Sequence, residues 1–222
     1  MSILSPLLRT NPSGPRLTVY DEVAGTRMEF SALTLENWAN KVANMLDAEF
    51  ELSDDARVLI DVPSSWQAAA IALGTYNSSR TPSFSPVEAG DEPDLVFTTL
   101  ERAAMWTDLP DVVVVSADPF GRGIVESGEE LPLGTVDFGP TVRFYGDDYL
   151  GASPRLDAWA RRGTGAERYR IDPWESRAEF DSLVMAPLAA DGSVVLVTGL
   201  APVERLSSID VTENVTAHLS AR

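Results

Sequence analysis

The segment RVLIDVPSSWQAAAIALGTYNSSRTPSF, residues 57–84, restricts the fold more than any other part of the chain. Val58-Leu59-Ile60-Asp61-Val62 is a β-rich run stopped by Pro63. Ser64 and Ser65 follow, and then a small-residue stretch with helical spacing over 66–76. Asn77-Ser78-Ser79 closes that stretch, and 82–84 resumes an extended character. A strand, a serine cap and an Ala-rich helix predict the first strand and crossover of a parallel α/β unit.

The flanks extend the same pattern. Residues 17–20 and 27–30 are short strands around a turn containing Ala24-Gly25, a hairpin. Ser31 or Thr34 then caps an amphipathic helix whose apolar face is Leu35, Trp38, Val42, Met45, Leu46 and Phe50. Glu36, Asn37, Asn40, Lys41 and Asn44 form its other face. Beyond an acidic loop at 86–93, residues 95–98 predict a strand, Thr99 or Leu100 to Thr107 a second helix, and DVVVVS at 111–116 a strand covered on both faces. Repeated strand–helix–strand units predict a layered α/β fold, a parallel or mixed sheet flanked by helices.

Residues 118–140 are rich in Gly and Pro and predict a long loop with an extended piece at 136–138. Residues 141–145 predict a strand, 156–162 and 173–183 short helices, and 194–197 the last strand. From Val203 one or two helical turns are expected. The expected organisation is a leader at 1–16, a single α/β domain at 17–200 and a tail at 201–222. Within that domain, 17–117 is the best-patterned part and 118–200 the loop-rich part.

Composition narrows the chemistry. The chain has no cysteine, which excludes thiolate metal sites and cysteine nucleophiles. With one histidine, His218, a His-clustered zinc site is impossible, and a Ser-His-Asp triad would need that residue of the tail. Lys41 is the only lysine. A net charge of −17 repels phosphate backbones and anionic lipid, so neither nucleic acid nor membrane is an expected partner. No apolar stretch is long enough to span a bilayer, and the N-terminus lacks a signal-peptide pattern, so the expected compartment is the cytoplasm.

Six pieces then fall in a telling order: Met28-Glu29-Phe30 with Leu33, Ala43-Asn44-Met45-Leu46, Asp55-Ala56-Arg57-Val58, Val62-Pro63-Ser64-Ser65, the small-residue helix, and Ser79-Arg80-Thr81-Pro82. That order resembles the opening of the AMP-binding (adenylate-forming) superfamily, which includes acyl-CoA synthetases, luciferases and non-ribosomal adenylation domains. The sequence looks most like a short actinobacterial family distantly similar to those enzymes. The likeness covers 15–84 and extends to about 116. It implies the fold of an N-terminal subdomain and a crevice for AMP or ATP.

It also implies where a phosphate loop would lie, in SVVLVTGLAPVER at 193–205. Only Thr198 and Gly199 fit that loop there. Two glycines are missing, Pro202 removes an N–H donor, and Glu204 stands near where phosphate would lie. The superfamily's Mg²⁺-serving glutamate motif and its lysine-bearing C-terminal domain are not in this sequence, and Lys41 lies on the early helix.

The candidate cofactor-binding residues are therefore Thr198, Gly199, Ser64 and Ser65. Ser64-Ser65 opens a helix after a strand, where anions bind in open α/β sheets, although an ordinary N-cap is the favoured explanation. Thr198-Gly199 would line a relict nucleotide crevice or simply end a strand. Gly121-Arg122-Gly123 reads as a loop, and Asp54-Asp55, Glu129-Glu130 and Asp147-Asp148 as solvated turns without metal-ligand spacing. Trp66 and Trp106 are expected in the core. Trp159 and Trp174 are candidates for a pocket or partner surface, with Trp174, Phe180 and Leu183 alternatively buried anchors. Arg161, Arg162, Arg168 and Arg170 could bind an anion or offset nearby acids.

Together these features predict a catalytically incomplete homologue of AMP-binding enzymes, with no catalytic residue or metal site of its own. It would bind a protein partner or a small acyl or nucleotide ligand. The alternative is a half-enzyme of acyl-CoA ligase type completed by another chain. An unrelated small α/β enzyme using two carboxylates is a third reading, but no residue pair in the sequence points to it.

Overall fold

The computed structural model describes residues 2–85 and 93–221. The acidic loop expected over 86–93 thus lies, apart from Pro93, outside the described residues. The leader is not bare coil: Pro6 opens a short helix α1 (Ser5–Thr10), and Ile3, Leu4 and Leu7 are buried. The expected hairpin follows, β1 (Pro15–Asp21) antiparallel to β2 (Thr26–Ser31), with Leu17 opposite Phe30 and Asp21 opposite Thr26.

Helix α2 (Ala32–Ala48) starts where Ser31 Oγ accepts the Thr34 N–H at 3.2 Å, so Ser31 is the cap of the two candidates. Ser31→Ala is expected to cost about 1 kcal/mol, measured by urea denaturation. Leu35, Val42, Met45 and Leu46 are buried as the periodicity predicts.

By its internal contacts the chain divides into two units: Met1–Ile3 with Glu36–Pro63 and Gln67–Pro154, and Leu4–Leu35 with Ser64–Trp66 and Arg155–Arg222. The first unit holds β3 (Arg57–Asp61), α3 (Trp66–Asn77, from Gln67), β4 (Thr81–Ser83), β5 (Leu95–Thr99), β6 (Val112–Val115), β7 (Val136–Asp137) and α4 (Phe138–Phe144). Its five strands are all parallel, in the order β4-β3-β5-β6-β7. The four valines of β6 are buried on both faces, as a covered parallel strand requires.

The polar face of α2 does not simply meet water. Lys41 Nζ donates to Tyr145 O at 2.5 Å and pairs with Asp147 at 2.9 Å. Asn40 donates to Asp147 O at 2.6 Å, and Asn44 to Gly146 O and Asp148 O at 3.1 and 2.9 Å. A segment without regular structure is thus held by side chains through its carbonyls.

Two elements of the first unit differ from expectation. Residues 141–145 belong to helix α4 and its end rather than to a strand, because Phe138 and Val142, four residues apart, share one buried face. Between β5 and β6 only a 3₁₀ turn forms, Ala103–Trp106. Ala103 is its one buried residue, so no apolar stripe supports a longer helix.

In the second unit, β8 (Arg168–Ile171) precedes α5 (Arg177–Phe180), a π-helical turn Asp181–Met185 and α6 (Ala186–Ala189). Strand β9 (Ser193–Thr198), α7 (Val203–Thr212) and β10 (Ala217–Leu219) complete it. Its sheet runs β10-β8-β9-β1-β2, parallel except for the β1–β2 hairpin. Trp174 is buried against Phe180, ring centroids 5.1 Å apart, so it is an anchor rather than a partner surface.

Candidate functional site

The slot that the sequence assigns to phosphate is the turn from β9 to α7. Val194, Val195 and Leu196 are fully buried, which fixes β9 between β8 and β1 and delivers Thr198 to the sheet's carboxyl edge. There Thr198 O accepts the Glu22 N–H at 3.0 Å, and Thr198 Oγ1 donates to Tyr20 O at 3.3 Å. Gly199 turns the chain with φ +80°, in the left-handed region that favours glycine. A Cβ there would also stand 3.0 Å from Val23 Cγ2.

Past Gly199, the Leu200 side chain is wholly exposed. Pro202 caps α7 without a side-chain hydrogen bond, and its carbonyl accepts Arg205 N and Leu206 N at 2.9 and 3.0 Å. Glu204 lies in the first helical turn. The nearby cation is committed: Arg205 grips both Glu22 carboxylate oxygens at 2.8–3.0 Å and lies 5.4 Å over the Tyr20 ring. Those hydrogen bonds from Arg205 hold the Glu22 carboxyl below its ordinary range.

The chemistry of this turn disfavours an anion. A phosphate cradle needs successive N–H donors and an unshared positive charge. This turn has a proline in the run, an acid in the first helical turn, and its arginine neutralised by Glu22.

Ser64 is likewise engaged. Its hydroxyl donates to Trp174 O at 2.7 Å and accepts the Trp174 N–H at 2.9 Å. Ser65 directly precedes α3. The bonds that hold Ser64 and Thr198 therefore run to different partners, Trp174 and Tyr20.

The remaining candidates take structural places. Arg122 pairs with Asp118 at 2.7 Å, and Gly123 N donates to Glu126, so Gly121-Arg122-Gly123 is a closed loop. Asp54-Asp55, Glu129-Glu130 and Asp147-Asp148 are exposed, and among the described residues no cluster of acids or histidine could hold a metal. Arg168 pairs with Glu213 and Arg170 with Asp210, while Arg161 and Arg162 are exposed. His218 lies on β10 with Nε2 3.0 Å from Asp210.

The sequence reading missed Glu22, Tyr20 and Arg205 around the turn. Glu22 and Arg205 are 183 residues apart, and no local pattern couples them. Only the acid–base complementarity of the two turn-flanking residues hinted at the pair.

Comparison with known proteins places this geometry. No family model matches the chain. The acyl-CoA synthetase of Brucella canis has the same fold, with a TM-score of 0.77 at 17% identity, over 99% of this chain and 47% of that one. The acetoacetyl-CoA synthetase of Streptomyces lividans gives 0.72 at 15%, over 100% and 42%. The fatty acid AMP ligase from Legionella pneumophila gives 0.65 at 11%, over 98% and 43%. The chain spans about half the length of these structures and shares the fold of that part. A protein of Mycobacterium tuberculosis (strain ATCC 25618 / H37Rv), described as a TIGR03089 family protein, is 33% identical over 228 residues, 90% of each chain. At that identity and coverage, this chain belongs to the TIGR03089 family.

Proposed function

We propose that this protein is a catalytically incomplete relative of the adenylate-forming enzymes, using their scaffold to bind a small ligand or a protein partner. One observation carries the reading: the β9–α7 turn, where the family resemblance would put the ATP phosphates, has its arginine locked to Glu22 and a proline and Glu204 beside it. Triphosphate at that turn would meet an uncompensated carboxylate and one fewer backbone donor. A half-enzyme completed by another chain is the second reading. It is favoured by the fold shared with part of the acyl-CoA and acetoacetyl-CoA synthetases.

The test is a thermal-unfolding screen with ATP, AMP, CoA and a non-hydrolysable acyl-adenylate mimic, with and without Mg²⁺, beside an ATP–pyrophosphate exchange assay. A ligand with a Kd of about 10 μM, present at about 1 mM, would stabilise the native state by about 2.7 kcal/mol. The expected outcome is no exchange and no shift with ATP–Mg²⁺. Adenylate formation by the purified chain would overturn the proposal. A shift with the mimic, without exchange, would favour the half-enzyme.

A further inference from the structure

The sheet of the first unit contains a feature that the β9–α7 turn does not explain. From β3 the chain adds β4 on one side, then returns past β3 to add β5, β6 and β7 on the other. The strand order therefore reverses between β3 and β5. In open parallel sheets, ligands bind outside the carboxyl ends of the strands at such a reversal. Here those ends are Asp61 of β3 and Thr98-Thr99 of β5.

Asp61 is buried, its side chain 4% exposed. Its Oδ2 accepts from Thr98 Oγ1 at 3.1 Å and from Trp106 Nε1 at 2.9 Å, and its Oδ1 lies 2.5 Å from Arg102 Nη2. Taking a carboxylate out of water costs several kcal/mol, and apolar residues of similar volume commonly serve stability as well as a buried pair does. Apart from Thr98, the other buried residues of these strands are apolar: Val58, Leu59, Ile60, Leu95, Val96 and Phe97. Stability alone therefore does not account for a carboxylate at this position.

What Asp61 accomplishes is aim. It fixes one nitrogen of Arg102 while that side chain stays 46% exposed. A guanidinium carries five N–H donors in a planar fork, so a held but exposed arginine retains donors for a carboxylate or phosphate. Trp106 is oriented by the same carboxylate and is partly buried, and Met105 is exposed, its N–H donating to Arg102 O at 2.9 Å, so both apolar side chains belong to the 3₁₀ turn that Arg102 opens.

We propose that the β3/β5 reversal of the first unit binds a small organic anion. Its carboxylate or phosphate head sits on Arg102, and its apolar part lies against Trp106 and Met105. Asp61 and Thr98 are positioning residues. The site stands apart from the reading of the β9–α7 turn and does not depend on it.

The experiment follows the Trp106 indole N–H by ¹H–¹⁵N NMR, assigned through Trp106→Phe. Benzoate and octanoate test a carboxylate head; phenyl phosphate and inorganic phosphate test a phosphate head. A saturable shift of the Trp106 signal is expected from at least one head class below about 10 mM, and the responding arm names the head. Arg102→Ala should weaken binding by about tenfold or more, the loss of a charge-assisted contact. Arg102→Gln serves as the second variant should the first lose its fold.

No saturable shift from any probe, a shift reproduced by sodium chloride at equal ionic strength, or unchanged affinity in both Arg102 variants would each overturn the proposal. A thermal shift with the adenylate mimic that survives Arg102→Ala belongs to another site, so the two proposals can fail separately.

Discussion

Glu213→Ala is expected to lower folding stability by about 3–5 kcal/mol, the usual cost of removing one partner from a buried ion pair. Glu213 follows the last turn of α7 and is 4% exposed in its side chain. Arg27 Nε of β2 reaches it at 2.7 Å, Arg168 Nη2 of β8 at 2.5 Å and the Tyr20 hydroxyl of β1 at 2.6 Å. One carboxylate thus ties three strands of the second unit's sheet to α7. Its loss would leave Arg168 largely buried with only neutral hydroxyls, Thr18 Oγ1 at 2.9 Å and Ser193 Oγ at 3.2 Å. Arg27 would keep Glu29, so most of the penalty should fall on Arg168.

The same network predicts a pH dependence. Burial acts to raise the Glu213 carboxyl, but the hydrogen bonds from Arg27, Tyr20 and Arg168 outweigh it and bring the pKa from the ordinary 4.5 to about 2. A folded-state pKa below the unfolded one gives stability that is complete above the unfolded value and is lost as pH falls through the folded one. The wild type should therefore lose this contribution between pH 4.5 and about 2. Glu213→Gln, which cannot ionise, should be less stable at pH 7 and flatter across that window. Urea midpoints at pH 7 and at steps down to about pH 2 measure both effects. Parallel wild-type and Glu213→Gln curves would mean that the carboxylate is solvated rather than held.

What the sequence made legible follows from how locally each element is encoded. The VVVV of β6, the Ser31-capped periodicity of α2 and the Ala-rich α3 each state their burial in consecutive residues, and each forms where expected. Strand β8 is concealed because its alternation is written with arginines: Arg168 and Arg170 alternate with buried Tyr169 and Ile171. Strand β10 has three residues and exists through its pairing with β8, which local patterning cannot register. Helix α4 was hidden by the β-propensity of Thr141, Val142 and Phe144, which tertiary burial of Phe138 and Val142 overrides.

The candidate site divides in the same way. Pro202 and Glu204 are visible in one dimension, and so was the doubt they cast on a phosphate loop. The Glu22–Arg205 lock and the Asp61–Arg102 pair depend on strand order and on which loops share an edge. Asp61 was nonetheless the one polar residue inside an apolar run, a signal that gains meaning once β3 and β5 are known to be neighbours.

Gly74 offers the sharpest test of packing in the first unit, because propensity and space predict opposite signs. Glycine inside a helix costs about 1 kcal/mol relative to alanine, so α3 taken alone predicts that Gly74→Ala stabilises. A Cβ at that position, however, would lie 2.4 Å from Val42 Cβ, 2.5 Å from Val42 Cγ1 and 2.9 Å from Ala39 O. Val42 is buried and β-branched, with essentially one rotamer available in a helix, and Ala39 O is backbone of α2. Neither can yield without moving the helix, and Asn77 Nδ2 donating to Asn40 Oδ1 at 2.8 Å resists that movement. Overpacking on this scale costs about 1–3 kcal/mol and occasionally more, so Gly74→Ala should lose about 2 kcal/mol net and Gly74→Leu at least about 3. Pairing Gly74→Ala with Val42→Ala should cost less than the sum of the two single changes, because alanine at 42 removes the Cγ1 clash at 2.5 Å and leaves only that of its Cβ. Additive costs in that cycle, or stabilisation by Gly74→Ala, would show that α2 and α3 can separate without penalty, so that propensity rather than contact sets the residue at 74.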